Sequence, residues 1–424
     1  MGQKSRRSVT PGSPPPDPTM ANTAVPANGP GRLALLDVVR GMTILWITLF
    51  HFYIDTRGAA GVDARPGRFV AALGQGDLAE AAMVAARALA GIPSFRLDVF
   101  LFVSGLVLSL GRPLPAPVFY RRRAHAILPN YWLGSLAVFL LLVGLAALRA
   151  TLFGGHFLEQ LHQGSRLAHG PYAFEWLDLV RSASVLGRFE DSRAMQVVAP
   201  SLWYVVLLGQ LYLVFPLLRA VLRRIGPWWF LTAAAAITWG GRAAAFRHPV
   251  VPGFDAVQTV IHFIPFRLLA PAAGMVAARW ADRLARPPRP ARLWILSPLA
   301  LGSLLAAAWV SLRMNAPGTW AGLLGGAVPL AISLPGLWLF ASVAVRVRRA
   351  RDLLIWAGRH SLSLLVAQDF LRLGVGMLLF ARGDLADLTW PLAPFYLAAT
   401  LLVTRVWHPL PQAVGDRLCP PPPR

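Results

Sequence analysis

A chain of 424 residues that is 56% hydrophobic and only 14% charged lacks the charge to cover a soluble protein of that size, which excludes a water-soluble globular fold and leaves a polytopic membrane protein. The formal net charge of +22 does not point to nucleic acid, because the arginines stand in short clusters between apolar runs, as topology signals do in membrane chains. A single cysteine, Cys419 in the Pro-rich tail, excludes an internal disulfide and a thiolate metal cluster.

Residues 1–31 are rich in Pro, Ser, Gly and basic residues, and no apolar run follows closely enough for a signal peptide. They are expected to form a disordered cytoplasmic tail, with Met1 or Met20 as the true start. A myristoylation pattern fails because Arg6 stands where Ser or Thr is needed. A transmembrane domain is expected over 32–410, followed by a Pro-rich cytoplasmic tail over 411–424.

The expected fold class is an all-α polytopic membrane protein with about ten transmembrane helices and both termini cytoplasmic. The candidate spans are roughly 33–54, 95–110, 128–148, 202–222, 227–245, 257–278, 293–312, 320–345, 360–381 and 390–409. The intervening segments expected inside, 111–127, 219–226, 279–292 and 346–359, hold 17 arginines against four in the short outer loops. That bias sets the orientation. Two outer loops are long, 55–94 and 150–201. Helical stretches are expected at Gly76 to Ala90 and at Tyr172 to Leu186, as partly ordered covers over the outer mouth.

The first span, RLALLDVVRGMTILWITLFHFYI from Arg32 to Ile54, carries Asp37, Arg40 and His51 inside an apolar run. Charges at such depth are expensive unless they face a protein interior, so they mark function by default. Arg40 and His51 are eleven residues apart. That spacing returns to within about 20° of one face, displaced by roughly 16 Å, and Asp37 stands one turn from Arg40. The stripe presents a cation inward and an imidazole outward. His51 alone reads more simply as an interface histidine held by a carbonyl or water; with Arg40 on its stripe the balance moves to a general base for a hydroxyl acceptor, or an acyl-carrying nucleophile.

Asp98 opens the second span, where an antiparallel neighbour of the first would bring it close to His51. A carboxylate there would orient the imidazole, with Arg96 or water as its alternative partner. Ser104 and Gly105 lie deeper, as a helix-packing pair or as the wall of a slot for a slender ligand. The hairpin Tyr120-Arg121-Arg122-Arg123-Ala124-His125 is either a positive-inside anchor or a grip for the phosphates of a nucleotide-like donor. Asp369 and Arg372, three residues apart, read as a buried structural pair, and Arg267 is a further intramembrane cation. His156, His162 and His169 have no metal-ligand spacing, and no metal site is expected.

These motifs resemble the integral-membrane acyltransferase-3 family. The opening R-x-x-x-L-D-x-x-R-G, Arg32 to Gly41, with the Arg40-x10-His51 spacing, is similar to that family's first signature. Leu97-Asp98-Val99-Phe100-Leu101-Phe102-Val103-Ser104-Gly105 resembles its V-D-L-F-F-V-L-S-G-F segment, and Arg122-Arg123 to Ile127-Leu128-Pro129 its basic hairpin. Leu202-Trp203-Tyr204, Gln210-Leu211-Tyr212 and Pro216 look like its W-x-L…Q/E-x-x-Y-x-x-x-P segment. Phe266-Arg267-Leu268 and Gly358-Arg359-His360-Ser361 look like weaker landmarks. Three positions depart from the pattern: Leu106 in place of Phe, Ala126 in place of a second arginine, and Gln368-Asp369 where a histidine commonly ends the helix.

The resemblance implies an acyl-CoA-dependent O-acyltransferase of the plasma membrane, with acyl-CoA, most simply acetyl-CoA, as co-substrate and no permanently bound cofactor. It implies roles in transfer and donor handling for His51 and Arg40. Together with the reading of the residues, the candidate catalytic residues are His51 and Asp98, and the candidate donor-binding residues are Arg40, Arg122, Arg123, Ser104 and Gly105, with Trp203 and Arg267 as a further site. The implied acceptor is a hydroxyl of an extracytoplasmic or lipid-linked glycan, or of a small glycosylated metabolite. A transporter of a glycan or anionic solute is the alternative, weakened by the lack of an internal repeat. A glycan succinyltransferase or a transmembrane glucosamine N-acetyltransferase shares the L-D-x-x-R-G opening, but the Leu202–Pro216 segment favours the first family.

Overall fold

The structure is a computed structural model that describes residues 30–57, 66–78, 80, 81, 84, 93–161, 200–248, 256–281, 298, 299, 301–304, 306, 307, 327–378 and 389–418. Among them there are helices and no strands. In chain order these are α1 (Pro30–Arg57), α2 (Pro66–Gly74), α3 (Pro93–Leu110), α4 (Ala116–Phe153) and α5 (Trp203–Arg247). There follow α6 (Ala256–His262), α7 (Leu269–Ala277), α8 (Ala327–Ala344), α9 (Arg348–Arg359), α10 (Ser361–Leu378), α11 (Thr389–Trp407) and α12 (Pro409–Leu418). Residues 1–29, the Tyr172 to Leu186 stretch, His162, His169 and most of the span expected at 293–312 lie outside the described residues.

Three helices among those described are long and apolar enough to cross a membrane: Ala34–Phe52 within α1, then α4 and α5. Leu97–Leu110 and Leu330–Ala344 are shorter apolar helices. The outward faces are apolar as well. Trp132, Leu136 and Leu140 follow one another at four-residue steps on α4, and all are exposed, as are Trp228 and Trp229 on α5 and Phe395, Leu402 and Val406 on α11. Such stripes face lipid rather than water. The chain is a membrane protein.

α1 is the hub, packing on α3, α8, α9, α10 and α11. Its tightest neighbour is α9, and glycine is the reason. A Cβ on Gly41 would run into the Leu354 carbonyl, and one on Gly358 into the Asp37 carbonyl, so the two backbones touch directly. α3 meets α7 in the same way, Gly105 against the Pro271 carbonyl and Gly274 against the Phe102 carbonyl. Small residues at crossing points let membrane helices approach closely enough for dispersion to hold them. The hydroxyls of Thr43 and Thr48 bond back to the carbonyls of Val39 and Ile44 at 2.7 and 3.0 Å, which satisfies them inside α1.

Two expected spans, 202–222 and 227–245, are the halves of α5. They are joined at Gly226, whose φ of 79° suits glycine alone, and Pro227 restarts the helix. The expected span 257–278 is not one helix. Phe263 is extended (φ −115°, ψ 133°) between α6 and a tight 3-10 turn at Ile264–Arg267, since Pro265 lacks the N–H that a continuous helix needs. The freed backbone groups find side-chain partners. Gln210 donates to the His262 carbonyl and accepts from the Ile264 N–H, both at 2.9 Å. Arg242 donates to the Phe266 carbonyl at 2.8 Å, and Thr238 accepts from the Leu269 N–H at 3.0 Å. A break at membrane depth is tolerated only with such replacement. In the region read as a tail, Pro409–Leu418 is helical, and α12 lies on the start of α4, with Gly415 against Pro129 and His125.

Candidate functional site

The N-terminal half of α1 carries an ion cluster. Asp37 accepts from Arg359 Nε at 3.1 Å and lies 3.8 Å from Arg40. Arg40 also donates to Ser361 Oγ at 3.2 Å. The glycine contact between α1 and α9 places these groups side by side, because Arg359 and Ser361 follow Gly358 directly. Next to this cluster, the Arg123 guanidinium lies 5.5 Å from the ring centres of both Phe119 and Tyr212, within cation–π range. Arg40 and Arg123 both act electrostatically on Tyr212, so two of the predicted donor-binding arginines converge there. The buried Nε of Arg123 has no hydrogen-bond partner among the described residues. Arg122 is exposed, about 100° round the helix from Arg123.

His51, eleven residues further along α1, lies at a second polar cluster. Its Nδ1 is 3.5 Å from Ser201 Oγ. Ser201 sits in the 3-10 turn Pro200–Leu202 that opens α5. Its hydroxyl donates to Asp369 at 2.6 Å and its backbone N–H to the other carboxylate oxygen at 3.1 Å. Gln368 Nε2 and Arg372 donate to the same hydroxyl at 2.8 and 3.3 Å, and Arg372 also pairs with Asp369 at 3.6 Å. From α11, Tyr396 donates to the Gln368 carbonyl at 3.3 Å. Asp369 and Arg372 are thus the pair expected, but they also reach the His51 neighbourhood through Ser201.

Asp98 has a different partner from the one expected. Its carboxylate forms an ion pair with Arg267 at 2.9 Å, while Arg267 Nε reaches the carbonyls of Val260 and Ile261 at 3.2 Å. Arg242 stands within electrostatic reach of both. The physical reason is the break after α6: it turns Arg267 inward beneath α3, where an uncompensated cation would be costly. Among the contacts described, His51 meets Ser201 and Asp98 meets Arg267. Trp203 packs edge-on against His262, with ring centres 4.8 Å apart. Ser104 is half-buried beside the buried Tyr204 hydroxyl. Gly105 is committed to the α3–α7 contact, which leaves no slot at that position.

Ser201 and Gln368 went unassigned from sequence. Ser201 immediately precedes the Leu202-Trp203 motif, and Gln368-Asp369 stand out as two polar residues in an apolar helix. Those were the available signals.

Comparison with family models gives a match to the acyltransferase domain over residues 33–406, from the first turn of α1 to the last turn of α11. Comparison with curated proteins and with solved structures gives no match. The matched range takes in the ion cluster around Arg40, the His51 neighbourhood and the apolar helices that carry them. The chain belongs to the acyltransferase-3 family and is a membrane acyltransferase.

Proposed function

We propose that this protein is a ten-span, plasma-membrane O-acyltransferase with both termini in the cytoplasm. It moves an acetyl or similar acyl group from cytoplasmic acyl-CoA to a hydroxyl of an extracytoplasmic or lipid-linked glycan, or of a small glycosylated metabolite. Membership of an acyltransferase family favours the enzyme over a transporter. The observation that supports the reading most is the polarity of α1: Arg40 converges with Arg123 beside Tyr212, and His51 lies roughly 16 Å further along the same stripe.

In this reading Arg40 and Arg123 hold the donor phosphates by charge-assisted hydrogen bonds, with Arg122 at the entrance, and the thioester reaches along α1. His51 takes the proton of the acceptor hydroxyl. The oxygen attacks the thioester carbonyl carbon, the C–S bond breaks, and the proton passes from the imidazolium to the departing CoA thiolate. Ester and free CoA thiol result, and His51 is restored.

The test is release of free thiol from acetyl-CoA by the purified protein in nanodiscs with a glycan acceptor. His51→Ala is expected to cut the rate by about 10²–10⁴-fold, the usual contribution of a positioned base. Wild-type turnover by that variant sinks the assignment.

A further inference from the structure

Ser201 opens the turn before α5, while Gln368, Asp369 and Arg372 lie on neighbouring turns of α10. These two segments meet on the Nδ1 side of His51, and the hydrogen bonds around one oxygen fix the direction of all the others. A serine hydroxyl has one proton to give and two lone pairs with which to accept. The Ser201 proton goes to Asp369 Oδ1 at 2.6 Å. Three donors face Asp369: the Ser201 hydroxyl, the Ser201 backbone N–H at 3.1 Å and Arg372 at 3.6 Å. Asp369 therefore acts as a carboxylate and returns no proton to the serine. With its proton given to Asp369, Ser201 Oγ can meet His51 only as an acceptor, on a lone pair shared with Gln368 or Arg372, so a hydrogen bond between them requires the hydrogen on Nδ1.

We propose that Ser201 and Asp369 are positioning residues for His51, which they hold as the Nδ1–H tautomer. Nε2 is then left bare toward the acceptor hydroxyl. This rests on His51 being the base of the acyl transfer. When Nε2 takes the acceptor proton, the imidazolium gives its Nδ1–H to the Ser201 oxygen, whose electron density is raised by its own bond to Asp369. The 3.5 Å separation is the resting distance, with Gln368 and Arg372 competing for the same lone pairs; catalytic hydrogen bonds are often long in ligand-free structures and tighten with substrate. Arg372 neutralises Asp369 at longer range, so the effect acts through the directed hydrogen bond rather than through net charge. Two uncharged neighbours complete the described surroundings: the Phe50 ring is 5.7 Å from the His51 ring, and from α11 the Tyr396 hydroxyl donates to the Gln368 carbonyl.

The experiment is the pH profile of acetyl-CoA turnover in nanodiscs for wild type, Ser201→Ala, Ser201→Thr and Asp369→Asn, with donor KM and Tm measured alongside. Ser201→Ala and Asp369→Asn are expected to lower kcat by ~10–100-fold, a part of what a base contributes, with donor KM unchanged. The acid limb is expected to move to lower pH, because the imidazolium has lost support. Ser201→Thr, which keeps the hydroxyl, is expected to restore both. If the alanine and asparagine variants change only Tm, while His51→Ala is inactive, the positioning role is overturned and the base stands. Turnover by His51→Ala overturns the base itself. The wild-type protein supplies a measurement independent of variant folding: ¹⁵N resonances of labelled histidine, assigned by difference with His51→Gln. Protonated Nδ1 and bare Nε2 are expected for neutral His51; the opposite tautomer overturns the proposal.

Discussion

Asp98 and Arg267 form a 2.9 Å ion pair with side chains only 3% and 2% exposed, joining α3 to the break that follows α6. Arg242, itself buried, stands within electrostatic reach of both. One carboxylate thus serves two cations away from water. Removing one member of such a set leaves uncompensated buried charge and costs about 3–5 kcal/mol. Asp98→Ala is expected to lose that much stability, read as a fall in Tm of the detergent-solubilised protein. Asp98→Asn should leave the acid limb of the turnover profile where it is, in contrast to Asp369→Asn. A shifted limb would return Asp98 to the His51 site.

The two inner arginines separate from their neighbour. Arg40→Ala and Arg123→Gln each remove charged hydrogen bonding worth about 1.5–3 kcal/mol, and the donor KM is expected to rise roughly 10- to 100-fold. Arg122→Gln, on the exposed face of α4, is expected to change it less than about 3-fold, as a solvent-screened contact does. Equal effects at 122 and 123 would mean that the donor enters by a different face of the hairpin.

Backbone contact between α1 and α9 makes a prediction about single methyl groups. Gly41→Ala and Gly358→Ala place a Cβ against a main-chain carbonyl, which cannot rotate away. Each is expected to cost about 1–3 kcal/mol and to weaken donor binding, since Arg359 and Ser361 move with Gly358. Gly144→Ala is the control. Nothing lies within 4 Å of a Cβ there, and replacing a helical glycine gains about 0.5–1 kcal/mol. Melting curves of the three variants decide it.

Composition alone made the membrane class legible, and the R-x10-H spacing put Arg40 and His51 on one stripe before any contact was known. Apolar-run length and the arginines at 219–226 also separated the two halves of α5. The failures have a common origin in contacts between residues far apart in the chain. Asp98 was assigned to His51 because helix order placed them at the same depth; depth does not fix rotation about the helix axis, and Arg267 reached Asp98 first. The continuous helix expected at 257–278 failed because hydropathy is blind to the exchange in which Gln210 takes over broken backbone bonds. Ser201 stands just outside the Leu202-Trp203 motif, so only the arrival of Asp369 from 168 residues away drew attention to it.

The crossing at Gly41 and Gly358 pins α1 toward its N-terminal end, and the stacking of Phe52 on Tyr396, ring centres 4.4 Å apart, pins it toward the C-terminal one. A helix held at two points serves as a ruler. Its graduations are residues, so one inserted between Arg40 and His51 would turn the two marks about 100° apart while barely changing the length. In the proposed reaction the fixed gauge of α1 would set which donors can touch both marks at once: an acyl carrier too short to reach from the arginines to the imidazole would bind but never react.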